Sequence, residues 1–226
     1  LVIDGFTIKG GNANNTLYCM VSGTSIPMKE GGAIYINNQP TVITNCFIVN
    51  NSALFGGGIC SYANYTDVNN NIIVSNIALT HGGGVKIYFT LSNITNNSFI
   101  GNIVQDNGGA IHCISMEGDI INNEIIGNAT EFNGGGLYLQ NGHYTIYKNI
   151  ITNNYAGNNG GGLYGTIGTG EFSNNIVAYN TAGNEGGGLH TFLGANPAYN
   201  NLIYKNSAEI SGGGIYISNG QNTMIN

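Results

Sequence analysis

A glycine motif recurs along the whole chain, and this repeat constrains the possible folds more than any other feature. Each copy reads Gly-Gly, then Gly or Ala, then an aliphatic residue. The copies begin at Gly31, Gly56, Gly82, Gly108, Gly134, Gly160, Gly186 and Gly212. The first interval is 25 residues and the remaining ones are 26. A period of this length is typical of solenoids, in which each repeat is buried only by stacking on its neighbours.

Two columns of asparagine follow the same period. The first column is predicted at Asn45, Asn71, Asn97, Asn123, Asn149, Asn175 and Asn201, and the second at Asn50, Asn76, Asn102, Asn128, Asn154, Asn180 and Asn206. Asparagine tolerates left-handed backbone geometry at bends, and its amide can bond to the backbone and to an amide in the next repeat. We therefore interpret both columns as structural ladders and not as catalytic residues.

Within each repeat, apolar residues alternate with polar or aromatic ones, which is typical of strands. Inward positions after the Gly motif are predicted at Ile34, Ile59, Val85, Ile111, Leu137, Leu163, Leu189 and Ile215. Those of a second strand are predicted at Val42, Val68, Ile94, Ile120, Ile146, Phe172 and Ala198, and those of a third at Phe47, Ile73, Phe99, Ile125, Ile151, Val177 and Ile203. The sequence thus predicts an all-β, right-handed parallel β-helix of about eight turns, each with 26 residues and three short strands.

The first turn departs from the period. Residues 1–30 are predicted to form a partial turn with a loop insertion at about residues 12–30, and residues 31–226 to form the regular turns of the same single domain. Solenoid insertions gather on one face and serve either binding or shielding. Since no polar cap is evident, we expect either a longer natural protein or end-to-end self-association.

Composition narrows the classes of function. The chain has five Lys, no Arg and a net charge of −6, so nucleic-acid binding is not expected. No apolar run is long enough to cross a bilayer, so no membrane insertion by this chain is expected. The four cysteines lack zinc spacing, so no metal site or cofactor is predicted. Weak calcium binding is possible where Asp106 approaches Glu131 or Glu185 approaches Glu209.

The residues that face outward after the Gly motif include many aromatic rings. The candidate binding face comprises Tyr35, Tyr62, Tyr88, His112, Tyr138, Tyr164, His190, Phe192 and Tyr216. Tyrosine rings suit contact with sugars and with proteins. Stacked aromatics can equally serve only to stabilise a sheet, so this alternative stays open.

The pattern of residues gives little support for an enzymatic function. Lys86 and His112 occupy the same outward column in neighbouring turns, where a proton could pass between them, but no nucleophile or carboxylate accompanies them. A polysaccharide lyase typically needs a basic residue beside clustered carboxylates, and a glycoside hydrolase needs two carboxylates on one face. No catalytic residue is therefore assigned.

Two motifs carry a resemblance to a known family. Gly31-Gly32-Ala33-Ile34 and Gly108-Gly109-Ala110-Ile111, together with Phe47-Ile48-Val49-Asn50 and Phe99-Ile100-Gly101-Asn102, resemble the GGA[ILV] and FxxN repeats of chlamydial polymorphic membrane proteins. More broadly, the chain is similar to the right-handed parallel β-helix passengers of exported bacterial proteins, a superfamily that includes pectate lyases. The resemblance implies export, an extracellular or cell-surface location, and often adhesion.

The predicted function is a non-enzymatic extracellular or cell-surface module that acts as an adhesin-like passenger, a stalk, or a face binding polysaccharide or surface protein. The first alternative is an enzyme acting on polysaccharide, which would require a cluster of acids beside a base. The second is a self-assembling filament whose subunits stack end to end.

Overall fold

The computed structural model describes the backbone of most of the chain. The described residues are 1–14, 18–21, 24–27, 29–89, 91–166, 169–192, 197–218 and 223–225. Side chains are described in these ranges except at 18–21, 24–27, 166, 169, 192 and 223–225. Within the described ranges the regular elements are all strands, and they form four parallel sheets and one hairpin. The protein is thus a parallel β-solenoid, as the repeat predicts.

Each turn contributes one strand to each of the four sheets, which we call A, B, C and D in the order that follows the Gly motif. Three strands per turn were predicted, and this number is wrong for the described part of the chain. The fourth strand was missed because it is often only two residues long, which is too short for an alternating pattern to be recognised. Sheets A and B are formed by longer strands than sheet C.

The strands of each sheet are hydrogen-bonded in order along the solenoid. Sheet A contains Ile34–Asn37, Ile59–Tyr62, Val85–Tyr88, Ile111–Ile114, Leu137–Gln140, Leu163–Thr166, Leu189–Phe192 and Ile215–Ser218. Sheet B contains Val2–Asp4, Thr41–Thr44, Tyr65–Asn69, Leu91–Thr95, Glu117–Ile121, His143–Tyr147, Thr169–Ser173, Pro197–Tyr199 and Thr223–Ile225.

The other two sheets follow in the same way. Sheet C contains Thr7–Lys9, Phe47–Val49, Ile72–Val74, Ser98–Ile100, Glu124–Ile126, Ile150–Thr152, Ile176–Ala178 and Leu202–Tyr204. Sheet D contains Asn12–Ala13, Ser52–Phe55, Ile77–His81, Ile103–Val104, Ala129–Thr130, Tyr155–Ala156, Thr181–Ala182 and Ser207–Ala208. A separate antiparallel hairpin joins Tyr18–Val21 to Thr24–Pro27, between the first strand of sheet D and the first Gly motif.

The core is a column of apolar side chains inside the coil. In the middle turns the inward residues of sheets A, B and C, such as Ile111, Ile120 and Ile125, are fully buried. Because residues in neighbouring turns lie in register, each side chain packs on its equivalents about 4.8 Å above and below. The inward positions predicted from the alternation lie in this core in those turns.

The first complete turn is one residue shorter than the others, and this shifts several predicted positions. Val42, Phe47, Asn45 and Asn50 were predicted to be in register with later turns, but the paired residues are Ile43, Ile48, Cys46 and Asn51. These predictions are wrong by one residue because the register changes only beyond Ala53, before Phe55 pairs with His81. Phe47 is consequently exposed, and Ile48 is buried.

The remaining asparagines form two buried ladders along the solenoid. In a typical step, the Asn97 backbone N–H donates to Asn123 Oδ1 at 2.9 Å, and Asn97 Nδ2 donates to the same oxygen at 3.0 Å and to the Val68 carbonyl at 2.8 Å. The second ladder repeats this pattern from Asn51 through Asn206. Asn45 and Asn50 instead lie at bends with φ of 53° and 54°. Each ladder therefore satisfies the buried backbone groups at a corner of the coil.

The Gly motif forms another corner. Its first residue has positive φ, as at Gly108 with φ of 75°. The second residue has no room for a side chain, because a Cβ on Gly109 would overlap the carbonyl oxygen of Gly135 in the next turn. Glycine is thus required at the first position by the backbone conformation and at the second by a close contact between turns.

Candidate functional site

The predicted aromatic column lies on the outer side of sheet A, where residues that precede the Gly motif contact it: Phe55 contacts Lys86, His81 contacts His112 and Glu185 contacts His190. His112 and His190 are buried, and the prediction that they face solvent is therefore wrong. The tyrosines of the candidate binding face are partly buried; they are Tyr35, Tyr62, Tyr88, Tyr138, Tyr164 and Tyr216. The side chain of Phe192 lies outside the described residues.

The rings of this column stack along the solenoid axis. His81, from sheet D, stacks on His112 with centroids 4.5 Å apart, and His112 stacks on Tyr138 at 4.8 Å. The stack continues through Tyr164 and His190 to Tyr216, with centroid distances of 4.8 to 5.2 Å. These distances match the spacing between turns, so the ring contacts follow from the register of sheet A.

A buried lysine occupies the same column nearer the N-terminus. Lys86 Nζ donates to the Tyr62 hydroxyl at 2.7 Å and lies 4.0 Å from the centroid of the Phe55 ring. The Tyr62 hydroxyl in turn donates to Glu30 Oε1 at 2.9 Å. This chain of contacts links Glu30, which follows the hairpin, to two turns of sheet A. A cation enclosed by rings and one hydroxyl is held in place and is not available as a surface charge.

Burial dominates the electrostatics of this column. It lowers the pKa of Lys86, while Cys60 and Glu30 act in the opposite direction. It raises the pKa of the Cys60 thiol, and together with Glu30 it raises the pKa of Tyr35 to about 12. At neutral pH these tyrosine and cysteine side chains are therefore neutral.

Lys86 and His112 are indeed in register, as their spacing predicts. Both are buried, however, with exposed fractions of 4% and 1%. Burial, then His81 and Lys86, lower the pKa of His112 well below its usual value, and its Nδ1 has no hydrogen-bond partner. A neutral imidazole packed between two rings has no access to a substrate in solution.

One acid of each pair considered for calcium lies beside a histidine. Asp106 Oδ2 lies 3.3 Å from His81 Nδ1, and Glu185 Oε2 lies 3.4 Å from His190 Nε2. In the described part of the chain, no group of three or more His, Cys, Asp or Glu side chains is arranged to hold a metal ion. Cys46, Cys60 and Cys113 are buried free thiols, and the side chain of Cys19 lies outside the described residues.

The buried histidines predict that acid destabilises the fold. The pKa of His112 in the folded state lies below that of the unfolded chain, about 6.5, so the unfolded state binds more protons below that pH. We expect the free energy of unfolding to fall as the pH drops below about 6.5, by up to about 1.4 kcal/mol per pH unit for this residue. Burial lowers the pKa of His81 and His190 in the same direction.

Urea unfolding at pH 7.5 and pH 5.0 measures this dependence. We expect His112→Phe to flatten the slope by about one proton, whereas Asn122→Gly, which removes no titratable group, should leave it as in the wild type. If the His112→Phe slope equals that of the wild type, His112 is not the group responsible.

A further set of exposed apolar side chains lies on sheets C and D and at the bend between them. Exposed large hydrophobic residues there are Phe47, Ile72, Ile77, Leu79, Ile100, Ile103, Ile150, Tyr155, Tyr179, Leu202 and Tyr204. We call this surface the CD face. It was not singled out from the sequence, in which Phe47 was predicted to face inward and the other residues of the face were assigned no role.

Comparison with known proteins adds one match. Residues 98–114 match the family described as the Chlamydia polymorphic membrane protein repeat. The segment runs from sheet C through sheet D to sheet A and contains both Phe99-Ile100-Gly101-Asn102 and Gly108-Gly109-Ala110-Ile111. The chain is a parallel β-helix repeat protein that resembles this family. No curated protein and no solved structure matches it.

The resemblance to the polymorphic membrane protein repeat is consistent with a surface-associated protein. Among the described residues there is no helix that could cross a membrane.

Proposed function

We propose that the chain is a non-enzymatic binding module of the cell surface and that the CD face is its contact surface. The observation that carries this proposal is that exposed large side chains pair in register on neighbouring strands: Phe47 with Ile72 in sheet C, and Ile77 at 47% with Ile103 at 49% exposure in sheet D. Apolar patches of this kind on soluble proteins mark interaction sites. The asparagine ladders and the Gly corners hold the face in a fixed shape.

A protein is the partner that the CD face favours. The side chains in its N-terminal half are mainly aliphatic, and aliphatic side chains with scattered aromatic rings are typical of the centre of a protein interface. Polysaccharide binding, end-to-end self-association and weak calcium binding stay predictions.

The burial of Lys86 and His112 supports a binding role over catalysis. The family match at residues 98–114 supports location at the cell surface, either extracellular or membrane-associated. An adhesin-like role follows from these two points together and is part of the proposal.

The proposal is tested with a panel of purified extracellular-matrix proteins and of acidic and neutral polysaccharides. Both the bound fraction of the chain and the length of each polysaccharide are recorded. We expect at least one protein to be bound, no polymer to be shortened, and binding to fall about tenfold in an Ile77→Lys, Ile103→Lys double variant.

The matched control for this experiment is Phe132→Lys, at an exposed position outside the CD face. It should bind as the wild type does. Shortened polysaccharide would instead indicate an enzyme, and equal binding by the double variant would show that the CD face is not the contact surface.

A further inference from the structure

Strained backbone positions cluster at one end of the CD face. Among the described residues other than Gly, positive φ angles are found at Asn or Ser with four exceptions, which are Phe89, Lys148, Tyr179 and Lys205. Long and aromatic side chains adopt this conformation only at a cost in free energy, and such residues concentrate at functional sites. Three of the four border the last three strands of sheet C.

The equivalent positions in neighbouring turns show which residues these three replace. Lys148 occupies a bend column that holds Asn122 and Asn174 in the neighbouring turns, and all three residues have φ between 55° and 58°. Tyr179 and Lys205 continue the other bend column, which holds Asn153. The fold would be satisfied by asparagine at each position, so the larger side chains require another explanation.

A group of exposed side chains lies at this end of the face, which we call the Tyr–Lys patch: Ile150, Tyr179, Leu202, Tyr204 and Lys205. Lys148 precedes its sheet C strand and its Nζ lies 5.0 Å from the centre of the Tyr147 ring, so it is not part of the patch. The rings of Tyr179 and Tyr204 meet edge to face, with centroids 5.5 Å apart and planes at 75°. Lys205 Nζ donates to the Tyr179 hydroxyl at 3.3 Å and lies 5.3 Å from the centre of that ring. The two tyrosines are 45% and 38% exposed.

The charge of the patch differs from that of the whole chain. The net charge is −6, yet no carboxylate in the described part of the chain lies within 4.0 Å of the ammonium of Lys205. Lys205 is exposed and follows the strand that carries Leu202 and Tyr204, which are 55% and 38% exposed. The patch therefore offers one ammonium group beside an apolar surface.

Given the binding role proposed above, we infer that the Tyr–Lys patch binds an acidic segment of a partner polypeptide. A carboxylate of the partner would accept hydrogen bonds from Lys205 Nζ and from the Tyr179 hydroxyl, and a neighbouring apolar side chain would cover Leu202 and the Tyr204 ring. A polypeptide is favoured over an acidic saccharide because the exposed aliphatic side chains of Ile150 and Leu202 gain most from contact with another apolar side chain.

The test measures binding of the whole chain to three probes: a random copolymer of glutamate and tyrosine, polyglutamate, and polygalacturonate. We expect the copolymer to bind most tightly, with an affinity that decreases as salt increases. Lys205→Gln and Tyr179→Asn should each weaken copolymer binding about tenfold. Tyr179→Asn should also raise the urea midpoint, because asparagine is the better residue at this φ.

Two control variants separate the contacts from general effects. Lys9→Gln removes the same charge from an exposed position in the first strand of sheet C, and it should leave copolymer affinity within about twofold. Phe89→Asn relieves the same kind of strain at φ of 51° and should raise the urea midpoint without changing affinity.

Unchanged affinity in both patch variants would overturn the inference, as would tighter binding of polygalacturonate than of the copolymer, which would identify a saccharide site. The binding of the protein panel by the wild type and by the Ile77→Lys, Ile103→Lys variant is a separate measurement. If that variant loses binding to a panel protein while the patch variants bind the copolymer normally, the CD face is a contact surface but its partner is not recognised through an acidic segment.

Discussion

Replacing Gly109 with alanine is expected to destabilise the protein by about 4 kcal/mol or more. The added methyl group would overlap the carbonyl oxygen of Gly135 and would meet the backbone nitrogen of Ala129 at 2.8 Å. Both neighbours are backbone atoms of adjoining turns, so relief requires two turns to move apart and to lose hydrogen bonds between them. Urea unfolding followed by circular dichroism measures the loss.

The matched control is Gly136→Ala, at the third position of the following motif. Its Cβ would lie 2.6 Å from the Gly162 oxygen, but Ala110 already occupies the equivalent place one turn earlier. We expect a loss of only about 1 kcal/mol, the usual size for a small adjustment of packing. Similar losses in the two variants would show that the second motif position is not uniquely crowded.

Replacing Asn123 with leucine is expected to have an effect of comparable size. Asn123 is 1% exposed, accepts hydrogen bonds from the backbone and the amide of Asn97, and donates to the Ile94 carbonyl at 2.8 Å. Leucine has the same branching but is larger, and it leaves these buried partners unsatisfied, at about 1 to 3 kcal/mol for each group. We expect a total loss of about 4 kcal/mol in the free energy of unfolding.

The neighbouring Asn122 provides the control. It lies at a bend with φ of 58°, and glycine adopts that conformation without strain. Asn122→Gly should change the free energy of unfolding by less than about 1 kcal/mol. Equal losses for Asn122→Gly and Asn123→Leu in urea unfolding would contradict the ladder as the source of stability.

Much of the fold was predictable because a solenoid repeats one local solution. The 26-residue period, the parallel coil and the buried asparagine columns follow from residues that must stack in register, as the pairing of Val85 with Ile111 and of Ile111 with Leu137 illustrates. Every turn places one residue in the same environment, so a column of matching residues over several turns is not explained by chance.

Two features could not be predicted for physical reasons. The missing residue of the first complete turn lies between Ala53 and Phe55, but the sequence spacing of 25 does not indicate where along the turn the deletion falls. His112 and His190 are buried and contact His81 and Glu185, which precede the Gly motif, and alternation along one strand carries no information about those contacts.

The CD face illustrates a further limit. Apolar residues at outward positions, such as Ile72 and Ile103, leave the spacing of the inward residues unchanged, so the alternation does not reveal them. Single exposed hydrophobic residues are also ordinary on protein surfaces. Only the register shows that Ile72 adjoins Phe47 and that Ile103 adjoins Ile77. The unusual residues of the bend columns were visible in the sequence, since Tyr179 follows Asn153 at the same period, but their strain appears only with the backbone angles.

Oxidative footprinting of tyrosine, in the free protein and with a bound partner, tests the central claim most directly. The partner is a protein selected by the panel, or the glutamate–tyrosine copolymer. We predict that Tyr155, Tyr179 and Tyr204 are oxidised in the free protein and protected in the complex, while Tyr138 and Tyr164 change little. Protection of Tyr138 and Tyr164 with no change on the CD face would contradict the account and would identify the aromatic column of sheet A as the contact surface.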